Sequence, residues 1–166
     1  YGDYFAWGVT YPESSYNWST YRWYYGSSMG LAKYCTGSRY GAVDNKTQLE
    51  LSDDAARANW GGSWRIPTFD ELTELREKCT WTWITQNGVK GYKVSRNGNS
   101  IFLPAAGYRY DNRLSEAGSD CYYWSRSLDK YDPSNARCMY FHLGNVYWNY
   151  DDRSFGHSVR PVCSNG

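Results

Sequence analysis

No stretch of this 166-residue chain approaches the ~20 consecutive apolar residues that a membrane-spanning helix needs, so direct membrane insertion is not expected. Charge of one sign is also missing. Eighteen Lys and Arg face 17 Asp and Glu, a formal net charge of +1 with no like-charge run, so nothing in the chain attracts nucleic acid or an anionic lipid surface. Histidine is scarce: His142 and His157 are the only two, and no serine sits in a Gly-x-Ser-x-Gly context. A His-based triad therefore has almost no candidates, and both histidines read as surface or contact residues. Five cysteines, Cys35, Cys79, Cys121, Cys138 and Cys163, show no CxxC and no Cys/His ligand spacing, which gives a zinc site little support. The odd count leaves at least one thiol unpaired or paired between chains. The chain opens at Tyr1 with neither a methionine nor a signal-like apolar segment, as expected of an excised or mature domain of a larger protein. No internal repeat is visible.

What is present is aromatic. Eighteen Tyr and nine Trp with few Lys fit an extracellular module better than a cytosolic enzyme. Between Ser119 and Ser158 there is no Glu and no Gln, while Tyr, Asp, Ser, Asn, Arg and His are set among apolar residues. Tyrosine gives stiff, amphipathic contact area at low entropic cost, and small polar residues give adaptable hydrogen bonds. That is the composition of a recognition surface; the competing reading is a domain that uses Tyr as a strand former.

The length suits one domain burying about two-thirds of its unfolded surface, with no need of disulfides to fold. Tyr1 to Gly41 has no sustained period and reads as long ordered loops pinned by Trp7, Trp18 and Trp23, plus a short edge strand. A short helix follows, with Ser52 as N-cap, Asp53 and Asp54 in its first turn, and Gly61-Gly62 as its end. The second helix, Phe69 to Lys78, is signalled by the capping box Thr68/Glu71 behind Pro67, with Phe69, Leu72 and Leu75 on one face. After Cys79 the period becomes that of strands. Trp81 and Trp83 alternate with Thr82 and Ile84, turns are offered at Asn87-Gly88 and Asn97-Gly98, and the buried segment Ile101 to Gly107 follows. A polar loop is expected from Asp111 to Asp120, a strand at Tyr122 to Ser125, and a loop from Arg126 to Asn135. Then comes a hairpin, Ala136 to His142 and Val146 to Tyr150 around Gly144-Asn145. Two helices followed by an antiparallel run make an α+β order.

With these segments placed, the chain resembles the Fibrobacter succinogenes major paralogous domain, within the wider C-type-lectin-like fold shared with formylglycine-generating enzymes. The residues that carry the likeness are Tyr4 to Gly8, Asp53 to Ala56, Asn59 to Thr68, Phe102 to Gly107, Tyr122 to Ser125 and Ser158 to Val162. The resemblance implies a fold, and many activities share it. It also implies secreted or surface-anchored bacterial proteins, including pilus-tip adhesins, and a related group whose C-terminal stretch is rewritten by diversity-generating retroelements. Codons rewritten in that way cannot encode Trp, Met, Lys, Gln or Glu. From Ser119 to Ser158 those types appear only as Trp124, Lys130, Met139 and Trp148, three of them expected core positions, so a diversified face is permitted. The likeness further suggests a disulfide from Cys79 to Cys163, with Cys35 as a competing partner. Arg160, between Val159 and Pro161, is expected to make a structural ion pair.

Strand alternation selects the face. Met139 and Phe141 should point inward, sending Cys138, Tyr140 and His142 outward; Val146 and Trp148 inward place Tyr147 and Asn149 beside them. Tyr150, Asp151 and Asp152 would start the next loop. Arg126, Asp129, Tyr131, Asp132, Ser134, Arg137, Phe155 and His157 complete the expected ligand-binding set. The expected partner is a protein or glycan on a host or bacterial surface, with pilus subunits as further partners.

Other chemistries have less behind them. Asp151, Asp152, Asp129, Asp132 and Asn149 offer oxygens to Ca2+, which takes about 6 to 8 such ligands. Trp148 to Asp151 resembles a stretched lectin Trp-Asn-Asp signature, but the companion Glu-Pro-Asn or Gln-Pro-Asp is absent. Solvated loop carboxylates are the competing reading, and no cofactor is expected beyond that calcium alternative. Cys121 and Cys138 could mimic the reactive pair of formylglycine-generating enzymes, yet neither lies in the setting that chemistry requires. A non-enzymatic binding domain is the expectation, with an oxidase of that type or a purely structural module as alternatives.

Overall fold

The computed structural model describes residues 1–26 and 30–163. A small antiparallel pair, β1 (Tyr24–Tyr25) and β2 (Gly30–Leu31), lies in an otherwise irregular first third. Helix α1 (Ala55–Trp60), strand β3 (Trp64–Arg65) and helix α2 (Phe69–Lys78) follow. The rest is antiparallel: β4 (Thr80–Gln86), β5 (Val89–Arg96) and β6 (Asn99–Pro104) form one sheet in the order β4-β5-β6. Strands β7 (Tyr108–Tyr110) and β8 (Arg113–Ser115) form a hairpin. Strands β9 (Asp120–Leu128), β10 (Asn135–His142) and β11 (Asn145–Asp152) make the main sheet with β10 central, and β12 (Val162–Cys163) returns to pair with β3. The architecture is α+β, dominated by strands.

Helix α2 starts where the capping box places it. Thr68 Oγ1 accepts from the Glu71 amide at 3.2 Å, and Glu71 Oε1 accepts from the Thr68 amide at 3.1 Å. Glu71 also meets Arg65 at 2.7 Å, tying the helix start to β3. Helix α1 begins two residues later than expected. Its N-cap is Asp54, whose Oδ1 accepts from Ala56 and Arg57, while the Ile66 amide lies 3.0 to 3.1 Å from its two carboxylate oxygens. Leu51 to Asp53 form a separate 3-10 turn, because Asp53 is drawn away to Lys33 and to the Tyr34 hydroxyl. Asp54, a buried carboxylate, needs amide donors, and the open helix end supplies them.

Two apolar clusters clasp the main sheet. Its inner face sends Tyr123, Met139 and Phe141 against Leu72 of α2 and Tyr92, Val94 and Leu103 of the β4-β5-β6 sheet. Trp81 joins this layer, in edge contact with Tyr92 and Phe141 at 5.4 Å between centroids. The outer face is covered at one end only. There Phe5 and Trp7 of the N-terminal segment pack with Tyr34, Leu49 and Ile66 over Trp124, Ala136 and Cys138. Backbone bonds hold this cover down: Phe5 exchanges both its bonds with His157, the Trp7 amide donates to the Arg153 carbonyl, and Ser158 bridges Tyr123.

Several expectations change at this level. The loop expected from Asp111 to Asp120 begins inside a hairpin, because Tyr108 to Tyr110 pairs with Arg113 to Ser115 around Asp111-Asn112. The loop expected from Arg126 to Asn135 shrinks to residues 129–134, since β9 runs on to Leu128 opposite Ala136. Tyr150, Asp151 and Asp152 belong to β11 rather than to a loop, facing Arg137, Ala136 and Asn135. No disulfide joins Cys79 to Cys163. Cys79 is a free thiol at the C-terminal end of α2, whereas Cys163 is registered with Trp64 ahead of its N-terminal end, and a ten-residue helix spans about 15 Å. Arg160 is exposed and makes no ion pair among the described residues.

Candidate binding face

The open end of the outer face is a ladder of rings. Antiparallel register sets Tyr122, Tyr140 and Tyr147 side by side across β9, β10 and β11. Ring centroids are 4.8 Å apart from Tyr122 to Tyr140 and 5.8 Å from Tyr140 to Tyr147, the latter pair at 15°. His142 joins at 5.6 Å from Tyr147. On the other side Tyr108 of β7 meets Tyr122 at 5.0 Å, and Phe155 touches both Tyr108 and Tyr110. Such cross-strand aromatic contacts are worth about 0.5–1.5 kcal/mol each beyond burial, and they fix the orientation of the rings.

Two carboxylates line the ladder. The Tyr122 hydroxyl donates to Glu116 Oε2 at 2.6 Å and the Tyr140 hydroxyl to Asp120 Oδ1 at 3.4 Å. Burial, seconded by the neighbouring carboxylates, pushes the Tyr140 phenol up to about 12 and Tyr122 higher still, so both remain neutral donors. The hairpin tip is braced from behind: Tyr92 donates to the His142 carbonyl at 2.8 Å and accepts from the Gly144 amide at 3.2 Å. Leu143 and Tyr147 are exposed at this tip.

The expected site residues divide among several places. Tyr140, His142, Tyr147 and Asn149 lie on the outer face as expected, with Phe155 at its edge through Tyr108 and Tyr110. Cys138 also points to that side, but it is buried beneath the N-terminal cover. His157 is wholly buried there too, its ring 4.1 Å from Trp124 and its Nε2 3.0 Å from Asp151 Oδ2, so it is not a surface residue. Arg137 and Tyr150, opposite each other, are on the inner side beyond the start of α2, where Arg137 stacks on Phe69 at 4.3 Å. They cannot share a flat surface with Tyr147. Arg126 is turned to the Leu49 carbonyl beneath the sheet.

The acidic loop is built as turns. Asp129, which is buried, accepts from the Tyr131 amide, and Asp132 accepts from the Ser134 amide and hydroxyl. Tyr131 projects, 77% exposed, beside the exposed Lys130. Asp152 accepts from Trp18 Nε1 at 2.9 Å and from Ser154, and with Ser134 it borders an open cavity of about 630 Å3 walled by Trp18, Tyr24, Tyr40 and Arg39. The five groups considered for calcium therefore do not converge. Among the described residues, one set of three or more His, Cys, Asp or Glu has its ligand atoms gathered: Cys138, Asp151 and His157. Cys121 and Cys138 do not form a reactive pair, because Cys121 opposes Phe141 while Cys138 opposes Trp124, and burial pushes both thiols up.

Sequence reasoning missed Tyr108, Tyr110, Tyr122, Glu116 and Asp120 at the face. The alternation Tyr108-Arg109-Tyr110 ahead of Asp111-Asn112 is the hairpin signal that carries the first two. It also missed Arg153, fully buried, whose guanidinium donates to the carbonyls of Lys33, Tyr34 and Pro133 and to the Tyr21 hydroxyl. No pattern announces a buried arginine, because three of its four partners are backbone oxygens.

The fold and this face define an α+β domain with a preformed aromatic surface at one end of its main sheet. The chain belongs to the family described as the Lcl C-terminal domain, whose model matches residues 6–163. No curated protein and no solved structure matches it.

Proposed function

We propose that the domain is a non-enzymatic, extracellular ligand-binding module of C-type-lectin-like fold that serves adhesion at a bacterial surface, such as a pilus tip. The observation that carries this reading is the ladder of Tyr122, Tyr140, Tyr147 and His142, a set of ordered, partly exposed rings edged by Glu116 and Asp120. Rings held in this way offer stacking area to sugar faces or to apolar side chains, and the carboxylates and phenols supply directional hydrogen bonds. The ligand is a protein or glycan of a host or bacterial surface. The composition from Ser119 to Ser158 fits a retroelement-diversified face, with Tyr140, His142, Tyr147 and Asn149 as its variable positions.

Binding of the purified domain to arrays of glycans and of host and bacterial surface proteins tests this reading, in parallel with a Tyr140→Ala, Tyr147→Ala double variant. We expect a ligand whose affinity falls tenfold or more in the variant, at a stability cost of only about 1–2 kcal/mol. Equal binding by parent and folded variant, or binding to nothing, would move the domain to the structural class.

A further inference from the structure

Beneath the covered end of the sheet three ligand-type atoms meet that the aromatic face does not use. Cys138 on β10 and Asp151 on β11 project to the same side from neighbouring strands, and His157 comes down on them from the segment that pairs with Phe5. His157 Nε2 is 3.0 Å and Cys138 Sγ is 3.8 Å from Asp151 Oδ2, and the three atoms all lie within 4.8 Å of one another. Cys138 and His157 are completely buried, and 23% of the Asp151 side chain reaches solvent.

We propose that Cys138, Asp151 and His157 form a binding site for a zinc-type divalent cation. This site stands whether or not the aromatic face serves adhesion. A tetrahedral zinc with bonds of about 2.0 to 2.3 Å sets ligand-to-ligand edges of about 3.3 to 3.6 Å. Two of the edges here are already within a few tenths of an ångström of that, so small side-chain rotations close the set. Thiolate, imidazole and carboxylate together select zinc, cobalt or copper over calcium or magnesium, whose ligands are oxygens. Charge favours the site as well. One thiolate and one carboxylate neutralise a dication, so the filled site carries no net charge in a buried region where a lone ion is costly.

The protons balance. On binding, Cys138 gives up its thiol proton to solvent. The proton on His157 Nε2 moves to Nδ1, a buried nitrogen that has no partner in the structure, and the ring stays neutral. Asp151 contributes its carboxylate unchanged, and water takes the fourth position on its solvent side. No ligand motif announces this site, because its ligands stand 13 and six residues apart, on two strands and a returning segment.

The test is a titration of the reduced, chelator-treated chain with Co2+. One equivalent should bring a thiolate-to-cobalt charge-transfer absorption together with the intense visible bands of a tetrahedral ion. Cys138→Ser should abolish the charge-transfer absorption, Asp151→Asn should weaken binding tenfold or more, and Cys163→Ser should change neither. No absorption in the parent, or absorption that survives Cys138→Ser, would overturn the proposal. If Cys138→Ser does not fold, X-ray absorption of the zinc-loaded parent decides: one sulfur with nitrogen and oxygen neighbours sustains the site, and a sulfur-free shell defeats it.

Discussion

At the scale of single residues, Arg153 is the most demanding side chain in the domain. It is a buried cation with no carboxylate in ion-pair reach among the described residues, compensated by three carbonyls, one hydroxyl and the face of Trp7 at 5.0 Å. Arg153→Ala would strand those acceptors and open a cavity beside Trp7. Chemical denaturation should show a loss of at least about 3 kcal/mol, and Arg153→Lys, which lacks the planar fork, should recover less than half of it. Glu13 makes the opposite case. One of its carboxylate oxygens is buried without a partner, and burial raises its pKa from 4.5 to about 7. The folded state therefore holds this proton more tightly than the unfolded chain. The resulting stability is fully present below pH 4.5 and is lost as pH rises through about 7. Glu13→Gln should flatten that part of a melting-temperature-against-pH curve; an unchanged slope would assign it to another group.

At the scale of elements, what could be read from the chain were the pieces whose signals are local. The capping box at Thr68 and Glu71 set the start of α2 correctly, and Asn87-Gly88 and Asn97-Gly98 marked the two turns of the β4-β5-β6 sheet. Thr68→Ala should cost about 1 kcal/mol in urea melts, because it removes the Oγ1 acceptor of the Glu71 amide while leaving the Arg65 pair in place. Elements failed where a competing partner lay outside the window. Ser52 has cap chemistry, yet Asp53 is claimed by Lys33 and Tyr34, so the helix waits for Asp54. The hairpin of β7 and β8 hid inside a polar run because its short strands carry Arg at two of six positions. Strand alternation in β10 was read in the right phase, which is why Tyr140 and His142 do face outward with Tyr147 opposite Tyr140.

At the scale of the whole molecule, period alone could say which side a residue faces but not what lies over that side. Cys138 and His157 were expected at the surface, and they are buried because Phe5 and Trp7 fold back over them from the far end of the chain. The bond from Trp124 Nε1 to the Phe5 carbonyl, at 2.7 Å, spans 119 residues of sequence. The same cover explains why the expected binding set breaks up: it claims Asp151 and His157, leaves Tyr140 and Tyr147 in the open, and the phase of β10 and β11 sends Arg137 and Tyr150 to the other side.

That division of the sheet into a roofed end and a bare end separates two kinds of inheritance. Changes under the roof must pass the test of folding, because Ala136, Cys138 and Trp124 are packed on every side. Changes at the bare end, on Tyr140, His142, Tyr147 and Asn149, are restrained only by their ring neighbours and by the strand backbone. A lineage of such domains can therefore vary its side chains at one end of the sheet while the other end keeps every descendant foldable.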